Sequence, residues 1–343
     1  MRTANVTVLT DAGGAHLQAY LNALAAAPEV ASVVIGDPSG SSEKSAREIL
    51  GWKLETYART HARALASQRA DLALITLEGA KSPDVIRAAL NADCHVLAEK
   101  PSCVRAEDFE PLVRLGEMKH RNLTLALANR MRSTVRTARQ LIQTGKLGRI
   151  YGCELHLIAD QTRLKSPAYQ QSWFADRARS GGGHLMWLGI HWIDLIMFIT
   201  GSQIVETAGF TGNVGGQPLN IEDSAAMALR FDNGSFGTVT SGYYLEKGYH
   251  SGLKLWGAHG WLQLAPHGGE ALQWFSSKDV PSRVSHYDGP PDEVGYGPFV
   301  RACVLAALGQ QPPPASGAES LHVLKTIFAC YRSAETGRSQ KVV

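Results

Sequence analysis

The first third of the chain alternates between short apolar runs and segments rich in helix-forming residues. The apolar runs predict five strands, at Asn5–Leu9, Ser32–Asp37, Ala70–Thr76, His95–Ala98 and Leu123–Ala128. The segments between them predict one helix that ends at Pro28, a second over Pro83–Ala92 and a third from about Ala106 to Lys119. Strands that alternate with helices are typical of an α/β fold with a parallel, doubly wound sheet.

From Arg149 onward the pattern changes to longer runs that resemble β-strands separated by turns. These runs are IYGCELHLIA, SAAMALRF, SFGTVTSGYY, SGLKLWG and GWLQLA. The Asp232-Asn233-Gly234 sequence between two of them suits a hairpin turn. A chain of 343 residues is long enough for two domains, so a second domain built on a sheet is expected.

The most apolar stretch runs from Ser180 to Gly201, yet His184, His191 and Asp194 interrupt it. Ionisable side chains are costly in the hydrocarbon core of a bilayer. The stretch therefore predicts a buried helix of a soluble domain rather than a membrane span.

Composition and charge narrow the class of protein. The net charge is +3, and the basic residues are scattered, so neither a nucleic-acid nor a membrane partner is expected. The first residues, MRTANVTVLT, lack the apolar stretch and cleavage site of a signal peptide. The five cysteines form no CxxC pair and are odd in number, which favours free thiols in the cytoplasm.

Polar or glycine-rich residues occupy the carboxyl end of every predicted strand in the first third. In a parallel α/β sheet these ends form the edge where ligands bind. We therefore predict a dinucleotide site made of Thr10, Asp11, Ala12, Gly13, Gly14, Asp37, Thr76, Glu99, Lys100, Pro101 and Asn129.

Individual residues of this site have physical roles. Glycines let the backbone approach a pyrophosphate at a helix N-terminus. Asp37 follows Gly14 by 23 residues, which suits hydrogen bonds to ribose hydroxyls and favours NAD(H) over NADP(H). The G-x-G-x-x-G fingerprint is absent, however, and Asp11 adds a negative charge near the expected pyrophosphate. An ordinary Gly-Gly turn is the alternative interpretation of this stretch.

Several motifs together resemble one protein family. The strand that runs into Glu99-Lys100-Pro101, in HVLAEKPSC, resembles the EKP signature of the Gfo/Idh/MocA (glucose–fructose oxidoreductase / inositol dehydrogenase) family. The segments IQTGKLGRIYG, SGGGHLMWLGIHWIDLIMFITG, IEDSAAMALRFDNGSFGTV and AESLHVLKTIFACYRSAETGRSQKV resemble further motifs of that family.

The resemblance implies a fold, an assembly and a reaction. It implies an NAD(P)-binding Rossmann domain over residues 1–128 and a C-terminal α+β domain over 129–343 with a large, open, mostly antiparallel sheet. One face of that sheet would be covered by a partner subunit, in a homodimer or homotetramer. The implied activity is NAD(H)-dependent oxidoreduction at a CH–OH or C=O group of a sugar-like or polyol substrate.

The resemblance also implies which residues carry the chemistry. Lys100 and His191 match the family's acid/base lysine and histidine, and Asp194 lies three residues after His191 on the same predicted helical face. The alternatives are a surface lysine at a strand end and a satisfied His–Asp pair in the core. No metal is expected, because His184, His191 and Asp194 match no common zinc spacing.

Trp187 departs from the family pattern, which places an aspartate four residues before the histidine. The tryptophan either stacks on the substrate or fills the core. His184, Tyr169 and Trp173 are further candidates for substrate binding, and the two aromatics are equally compatible with an ordinary surface role. Trp187 and the absent glycine fingerprint leave two other functions open. The chain is then a non-catalytic binding or sensor protein, or an NAD-dependent hydrolase or lyase.

Overall fold

The computed structural model describes residues 2–267, 271–293 and 295–343, which form two compact units. The first contains Met1–Ala128, Ala178–Gly181 and Val294–Leu321, and the second contains Asn129–Arg177, Gly182–Glu293 and His322–Val343. The predicted second domain, 129–343, is therefore wrong in two places. Residues 178–181 and 294–321 belong to the first unit, where the helix Gly297–Ala307 packs against the first helix of the chain.

Six strands form the sheet of the first unit. They are β1 Ala4–Thr10, β2 Val30–Gly36, β3 Leu54–Ala58, β4 Leu72–Thr76, β5 His95–Ala98 and β6 Leu123–Leu125. Their order is β3-β2-β1-β4-β5-β6, and every pairing is parallel. The predicted doubly wound parallel sheet is confirmed, although the edge strand β3 was not predicted. Its half-buried residues lack the continuous apolar run that marks the central strands.

Nine strands form the sheet of the second unit. They are β7 Ile150–Asp160, β8 Ile204–Gly212, β9 Ser224–Phe231, β10 Phe236–Leu245, β11 Tyr249–Gly257, β12 Gly260–Leu264, β13 Leu272–Ser276, β14 Val284–His286 and β15 Gln340–Lys341. All neighbours pair antiparallel except β7 with β10, which confirms the mostly antiparallel sheet. The strands β8, β13, β14 and β15 were not predicted.

The helices fill in around these sheets. They are α1 Leu17–Ala26, α2 Glu43–Leu50, α3 His61–Ser67, α4 Ser82–Asn91, α5 Ala106–Met118, α6 Ser133–Gln143, α7 Pro167–Gln170, α8 Arg177–Ser180, α9 Ile190–Thr200, α10 Gly297–Ala307 and α11 Gly317–Thr336. Short 3₁₀ helices cover Gly51–Lys53, Ala128–Met131, Thr162–Lys165 and Trp173–Ala175. In the second unit α6 and α9 pack against each other, and α9 contacts β7.

The apolar stretch around His191 is a composite helix. Leu185–Gly189 forms a π-helical turn, and the α-helix α9 begins only at Ile190. Because a π turn adds a residue to the repeat, His184 and His191, which are seven residues apart, do not lie on one continuous α-helical face. Residues 177–200 pass the length and composition test for a membrane span, but 72% of the tested window is buried inside the protein, as in a core helix.

A buried glutamate fixes the start of this composite helix. The Glu222 carboxylate accepts hydrogen bonds from the Gly183 and Leu185 amides at 2.6 and 2.9 Å, and from the Tyr331 hydroxyl at 2.9 Å. A Cβ on Gly183 would lie 1.9 Å from the Glu222 carbonyl oxygen, so only glycine fits there. The chain is therefore closely packed at Gly183, where the composite helix starts.

Candidate functional site

The loop after β1 lies close to the end of β4. The Thr10 hydroxyl donates to the Thr76 carbonyl at 3.2 Å, and a Cβ on Gly14 would lie 2.8 Å from the same oxygen. Gly14 is thus required by close backbone packing. The loop leads directly into α1, whose N-terminus has no side-chain cap among the described residues. An uncapped helix start behind a glycine-lined loop fits the pyrophosphate of a dinucleotide.

Asp11 in this loop does not act as an isolated negative charge. Lys81 lies 3.3 Å from its carboxylate and 3.4 Å from that of Glu78. Burial opposes the charge on Lys81, but the two carboxylates outweigh it and raise the pKa of Lys81. Arg179 in turn donates to Glu78. The charge of Asp11 is therefore compensated locally, which removes part of the objection to an anionic ligand at this loop.

Asp37 follows β2 and is completely buried. Its carboxylate accepts five hydrogen bonds, from the amides and hydroxyls of Ser39 and Ser42 and from the Tyr57 hydroxyl. Burial opposes ionisation, but these donors hold the pKa of Asp37 well below its usual range. A carboxylate offers about four acceptor positions, so this one is already full. Asp37 therefore shapes the loop after β2, and its contact with ribose hydroxyls stays a prediction.

Lys100 and Glu99 form a buried ion pair immediately after β5. The side chains are 2% and 0% exposed, and the ammonium lies 3.4 Å from Glu99 Oε1. A cis peptide bond joins Lys100 to Pro101. Burial opposes ionisation of Glu99, but Lys100 outweighs it and, with His16 and Tyr20, keeps the pKa of Glu99 below its usual value. Lys100 is thus not the surface lysine of the alternative interpretation.

Three residues complete this cluster. His16 is the N-cap of α1, Tyr20 lies within α1, and Tyr296 is the N-cap of α10. The Tyr20 hydroxyl donates to Glu99 Oε2, and His16 Nδ1 lies 3.4 Å from Glu99 Oε1. Tyr296, which begins α10, lies 3.1 Å from His16 Nδ1 and packs on the Tyr20 ring. The His16 side chain is 42% exposed, so the cluster connects the buried Lys100 to solvent. We call these five residues, His16, Tyr20, Glu99, Lys100 and Tyr296, the lysine cluster.

Trp187, in the second unit, belongs to an aromatic group. Its ring centroid lies 5.3 Å from that of Trp173 and 4.6 Å from that of Phe174, and Phe174 stacks on Tyr169 at 6.3 Å. Trp173 is buried, whereas Trp187 and Tyr169 remain partly exposed. Trp187 is therefore packed in the fold in part, and stacking of its exposed part on a substrate stays a prediction. We call Tyr169, Trp173, Phe174 and Trp187 the aromatic wall.

His184 is a fully buried neutral side chain. Its Nδ1 lies 2.6 Å from the Ser241 hydroxyl, and its ring packs edge-on against Tyr243 at 4.4 Å. Burial and the nearby Arg163 lower the pKa of His184 to about 3. His191 lies beyond the π turn and is half-buried. Within residues 2–267, 271–293 and 295–343, no group of three His, Cys, Asp or Glu side chains could hold a metal ion.

Asp194 is occupied by an arginine. Arg130 Nε lies 3.0 Å from both Asp194 carboxylate oxygens, and Arg130 Nη2 lies 2.6 Å from one of them. Both side chains are buried, at 4% and 1% exposure. This geometry is that of a bidentate buried ion pair, so Asp194 has a structural role, and its predicted role beside His191 stays a prediction. Asn129 is likewise engaged, because its side-chain oxygen accepts from Arg132 at 3.2 Å.

The sequence interpretation missed several of these partners. His16 and Tyr20 are four residues apart, the spacing that places two side chains on one helical face, and this was the available signal. Arg130 and Glu222 had no such signal, because their partners are 64 and 37 or more residues away in sequence.

Two family profiles match the chain. A profile described as an oxidoreductase family with an NAD-binding Rossmann fold matches residues 11–127, and one described as the GFO/IDH/MocA C-terminal domain matches residues 135–263. These two matches correspond to the two sheets described above.

Among curated proteins, an uncharacterised oxidoreductase of Schizosaccharomyces pombe is 29% identical over 49% of this chain, and this chain covers only 44% of that relative. A myo-inositol dehydrogenase of Streptomyces leeuwenhoekii is 25% identical over 80% of this chain and 81% of the relative. Among solved structures, the WlbA dehydrogenase of Bordetella pertussis in complex with NADH and UDP-GlcNAcA superposes with a TM-score of 0.85. It is 20% identical and covers 99% of both chains, so it supports the fold alone.

The Arg130–Asp194 pair yields a prediction about stability. Replacing Asp194 with Ala leaves a buried guanidinium without this carboxylate, which we expect to lower the free energy of unfolding by about 3–5 kcal/mol. The measurement is urea unfolding. The double variant Arg130→Met/Asp194→Ala should recover part of the loss, because no unpaired charge remains. An Asp194→Ala variant with unchanged stability and lost turnover would instead restore a direct catalytic role.

Proposed function

Because the chain belongs to the Gfo/Idh/MocA family of NAD-binding oxidoreductases, we propose that it oxidises a CH–OH group, or reduces the corresponding carbonyl, in a sugar-like or polyol substrate. The observation that carries the proposal is the buried Lys100–Glu99 pair at the carboxyl edge of a parallel sheet. Relatives named as a myo-inositol dehydrogenase and a 1,5-anhydro-D-fructose reductase support the class of substrate.

The glycine-lined loop after β1 and the start of α1 would hold the dinucleotide, which supplies the hydride acceptor or donor when bound. Removal of a hydride from a CH–OH carbon requires that the hydroxyl proton also leave. In reduction the Lys100 ammonium donates this proton to the carbonyl oxygen. In oxidation Lys100 first gives up its ammonium proton, and the neutral amine then takes the proton of the hydroxyl. Its side chain, 2% exposed, has little contact with water that could compete for the proton.

Glu99 and His16 give Lys100 a connection to solvent. Glu99 Oε1 lies 3.4 Å from both the Lys100 ammonium and His16 Nδ1. A proton on Lys100 can therefore be exchanged through Glu99 to the partly exposed imidazole, while Tyr20 and Tyr296 hold the two carriers in place. His191 is the second acid/base candidate, placed on α9 of the second unit.

Trp187 favours an alternative function. It replaces a carboxylate expected in this family, and the nearby Asp194 is committed to Arg130. The chain could then bind cofactor and ligand on the same fold without turnover, as a sensor protein, or catalyse a hydrolase or lyase reaction with NAD retained.

We propose NAD(H) rather than NADP(H) as the cofactor. The pKa of Asp37 is held low, so this strand end keeps a negative charge that disfavours a ribose phosphate. Arg59 lies over the Tyr57 ring, but its guanidinium is already paired with Glu43 at 2.9 Å. The electrostatic environment at the end of β2 therefore favours a hydroxyl over a phosphate at the ribose 2′ position.

A calorimetric titration followed by an activity assay tests the proposal. We expect NADH to bind at least about 10-fold more tightly than NADPH, because a phosphate beside Asp37 costs about 1.4 kcal/mol or more. We also expect NAD⁺ reduction with at least one member of a panel of sugars and polyols, measured by absorbance at the NADH band.

The results separate the alternatives. Binding of NADH with no oxidation or reduction of any panel member favours the sensor function, and cleavage products with constant total NAD favour the hydrolase or lyase. No binding of either cofactor contradicts the proposal.

We also propose that the exposed face of the second sheet pairs with a second copy of this chain. Phe210, Ala226 and Thr240 lie side by side across β8, β9 and β10 and are all exposed. Phe210 is 80% exposed, which is unusual for a large apolar side chain on a flat sheet of small residues. Burial of this row by a second copy would remove that apolar surface from water.

Light scattering after size exclusion tests this assembly. We expect wild type to elute as a dimer or tetramer, and Phe210→Arg to shift it toward monomer because a charge would be buried without a partner. Trp52→Arg is the matched control, since Trp52 is an 82% exposed aromatic outside this sheet. A monomeric wild type would overturn the proposal.

We also propose that the protein resides in a compartment that keeps thiols reduced. All five cysteines, Cys94, Cys103, Cys153, Cys303 and Cys330, are buried and unbridged. Burial raises the pKa of Cys94 to about 11, and it raises that of the other four thiols as well. Thiols in this state suit the cytoplasm.

A further inference from the structure

Arg163 occupies an unusual position in the second unit. It lies in the 3₁₀ helix Thr162–Lys165 that directly follows β7, and its side chain is half-buried. One guanidinium nitrogen donates to the Tyr249 hydroxyl at 2.9 Å, and the guanidinium carbon lies 5.5 Å from the centre of the Tyr243 ring. The charge is therefore held in a fixed place by two tyrosines on β10 and β11, the strands on either side of β7.

No carboxylate neutralises Arg163 within the described part of the chain. The groups that raise its pKa against burial are Tyr243, Tyr249 and Tyr169. Arg163 is one of the groups that lower the pKa of Asp160. However, Asp160 Oδ1 accepts hydrogen bonds from the amide and the hydroxyl of Thr162, and the Asp160 side chain faces solvent. A partly desolvated guanidinium without a counter-ion is an incomplete ion pair, since burial of a charge is costly unless it is paired.

The side chains packed around Arg163 are donors or neutral groups. Burial raises the pKa of Tyr169 to about 12 and that of Tyr243 further, so both keep their protons near neutral pH. His184, neutral as described above, has a buried Nε2 with no hydrogen-bond partner among the described residues. A cation surrounded by protonated hydroxyls and a neutral imidazole provides donors for an anion and no competing negative charge.

The aromatic wall extends from this charge. Tyr169 packs on the cluster that contains Tyr243, and it stacks on Phe174, which contacts the partly exposed Trp187. A sugar ring can rest on such rings through its C–H groups while a charged substituent reaches the guanidinium. The placement of Trp187, where a catalytic carboxylate would have repelled an anion, is consistent with this use of the surface.

We propose that Arg163 binds an oxyanion of the substrate, a carboxylate or a phosphate, while the aromatic wall supports the ring that carries it. The inference rests on the proposed function in one respect, that the bound molecule is the substrate of this chain. It narrows the substrate class from sugars and polyols in general to sugar acids or sugar phosphates.

Calorimetry at constant ionic strength tests the site. The probes are sodium D-glucuronate, D-glucose 6-phosphate and inorganic phosphate, with the neutral methyl α-D-glucoside as reference, each titrated with and without saturating NADH. We expect at least one anion to bind about 10-fold or more tightly than the neutral glucoside. The two organic anions distinguish a carboxylate from a phosphate, and inorganic phosphate shows whether the oxyanion suffices without a ring.

Matched variants assign the effect to Arg163. Arg163→Met should weaken binding of the preferred anion at least about 10-fold and leave the glucoside within twofold. Tyr249→Phe removes the hydroxyl that orients the guanidinium and should weaken the anion severalfold, which covers the case that Arg163→Met does not fold. Arg139→Met is the control. Arg139 also lies over an aromatic ring, that of Phe198, and it donates a hydrogen bond to the Phe198 carbonyl oxygen.

The outcomes are distinct from those of the proposed function. No preference of the wild type for any of the three anions, or a preference that survives both Arg163→Met and Tyr249→Phe, overturns this inference. Anion binding that depends on Arg163 in a protein that binds no NADH would support the site and contradict the oxidoreductase instead.

Discussion

The buried pair between Lys100 and Glu99 is the interaction on which the proposed chemistry depends. Desolvation of two charges is costly, and a pair of this kind persists only where further hydrogen bonds satisfy it. Here the Tyr20 hydroxyl of α1 donates a hydrogen bond to Glu99 Oε2, and His16, the N-cap of α1, lies 3.4 Å from Oε1. Tyr296 contacts both of these residues. The cluster therefore explains why residues 294–321 return to the first unit, since Tyr296 and α10 pack against α1. It also places Lys100, the proposed acid/base group, at the edge of the parallel sheet where a cofactor is expected.

The central strands could be predicted from the sequence because they are buried on both faces and so appear as continuous apolar runs. β1, β4 and β5 lie within a residue or two of their predicted ends. β3 and β8 were missed because edge and half-exposed strands carry mixed residues whose burial depends on neighbours distant in sequence. The return of α10 to the first unit could not be predicted either, since apolar periodicity shows that a helix is buried but not against which element.

The candidate site was predicted in part. Lys100 and Glu99 were identified by a motif, and the geometry gives them a buried, connected setting. Asp37 was predicted to bind ribose hydroxyls, and Asp194 to share a helical face with His191. The structure adds protein donors that sequence patterns did not reveal, Arg130 on Asp194 and two serines and a tyrosine on Asp37. The π turn at Leu185–Gly189 separated His184 from the helical face of His191, which α-helical spacing could not foresee. Arg163 could not be identified from the sequence, because its proposed role depends on Tyr243 and Tyr249, which the fold brings beside it from two strands.

The most direct test of the central claim is the rate of hydride transfer in Lys100→Met, measured with NADH affinity on the same sample. Lys53→Met is the matched control, because Lys53 is also a buried lysine of the first unit but donates only to backbone carbonyls of residues 24, 25 and 27. If Lys100 moves the proton, Lys100→Met binds NADH as wild type does and loses about 10²–10⁴-fold in turnover, whereas the folded Lys53→Met turns over normally. A Lys100→Met protein that transfers hydride at the wild-type rate would contradict the account.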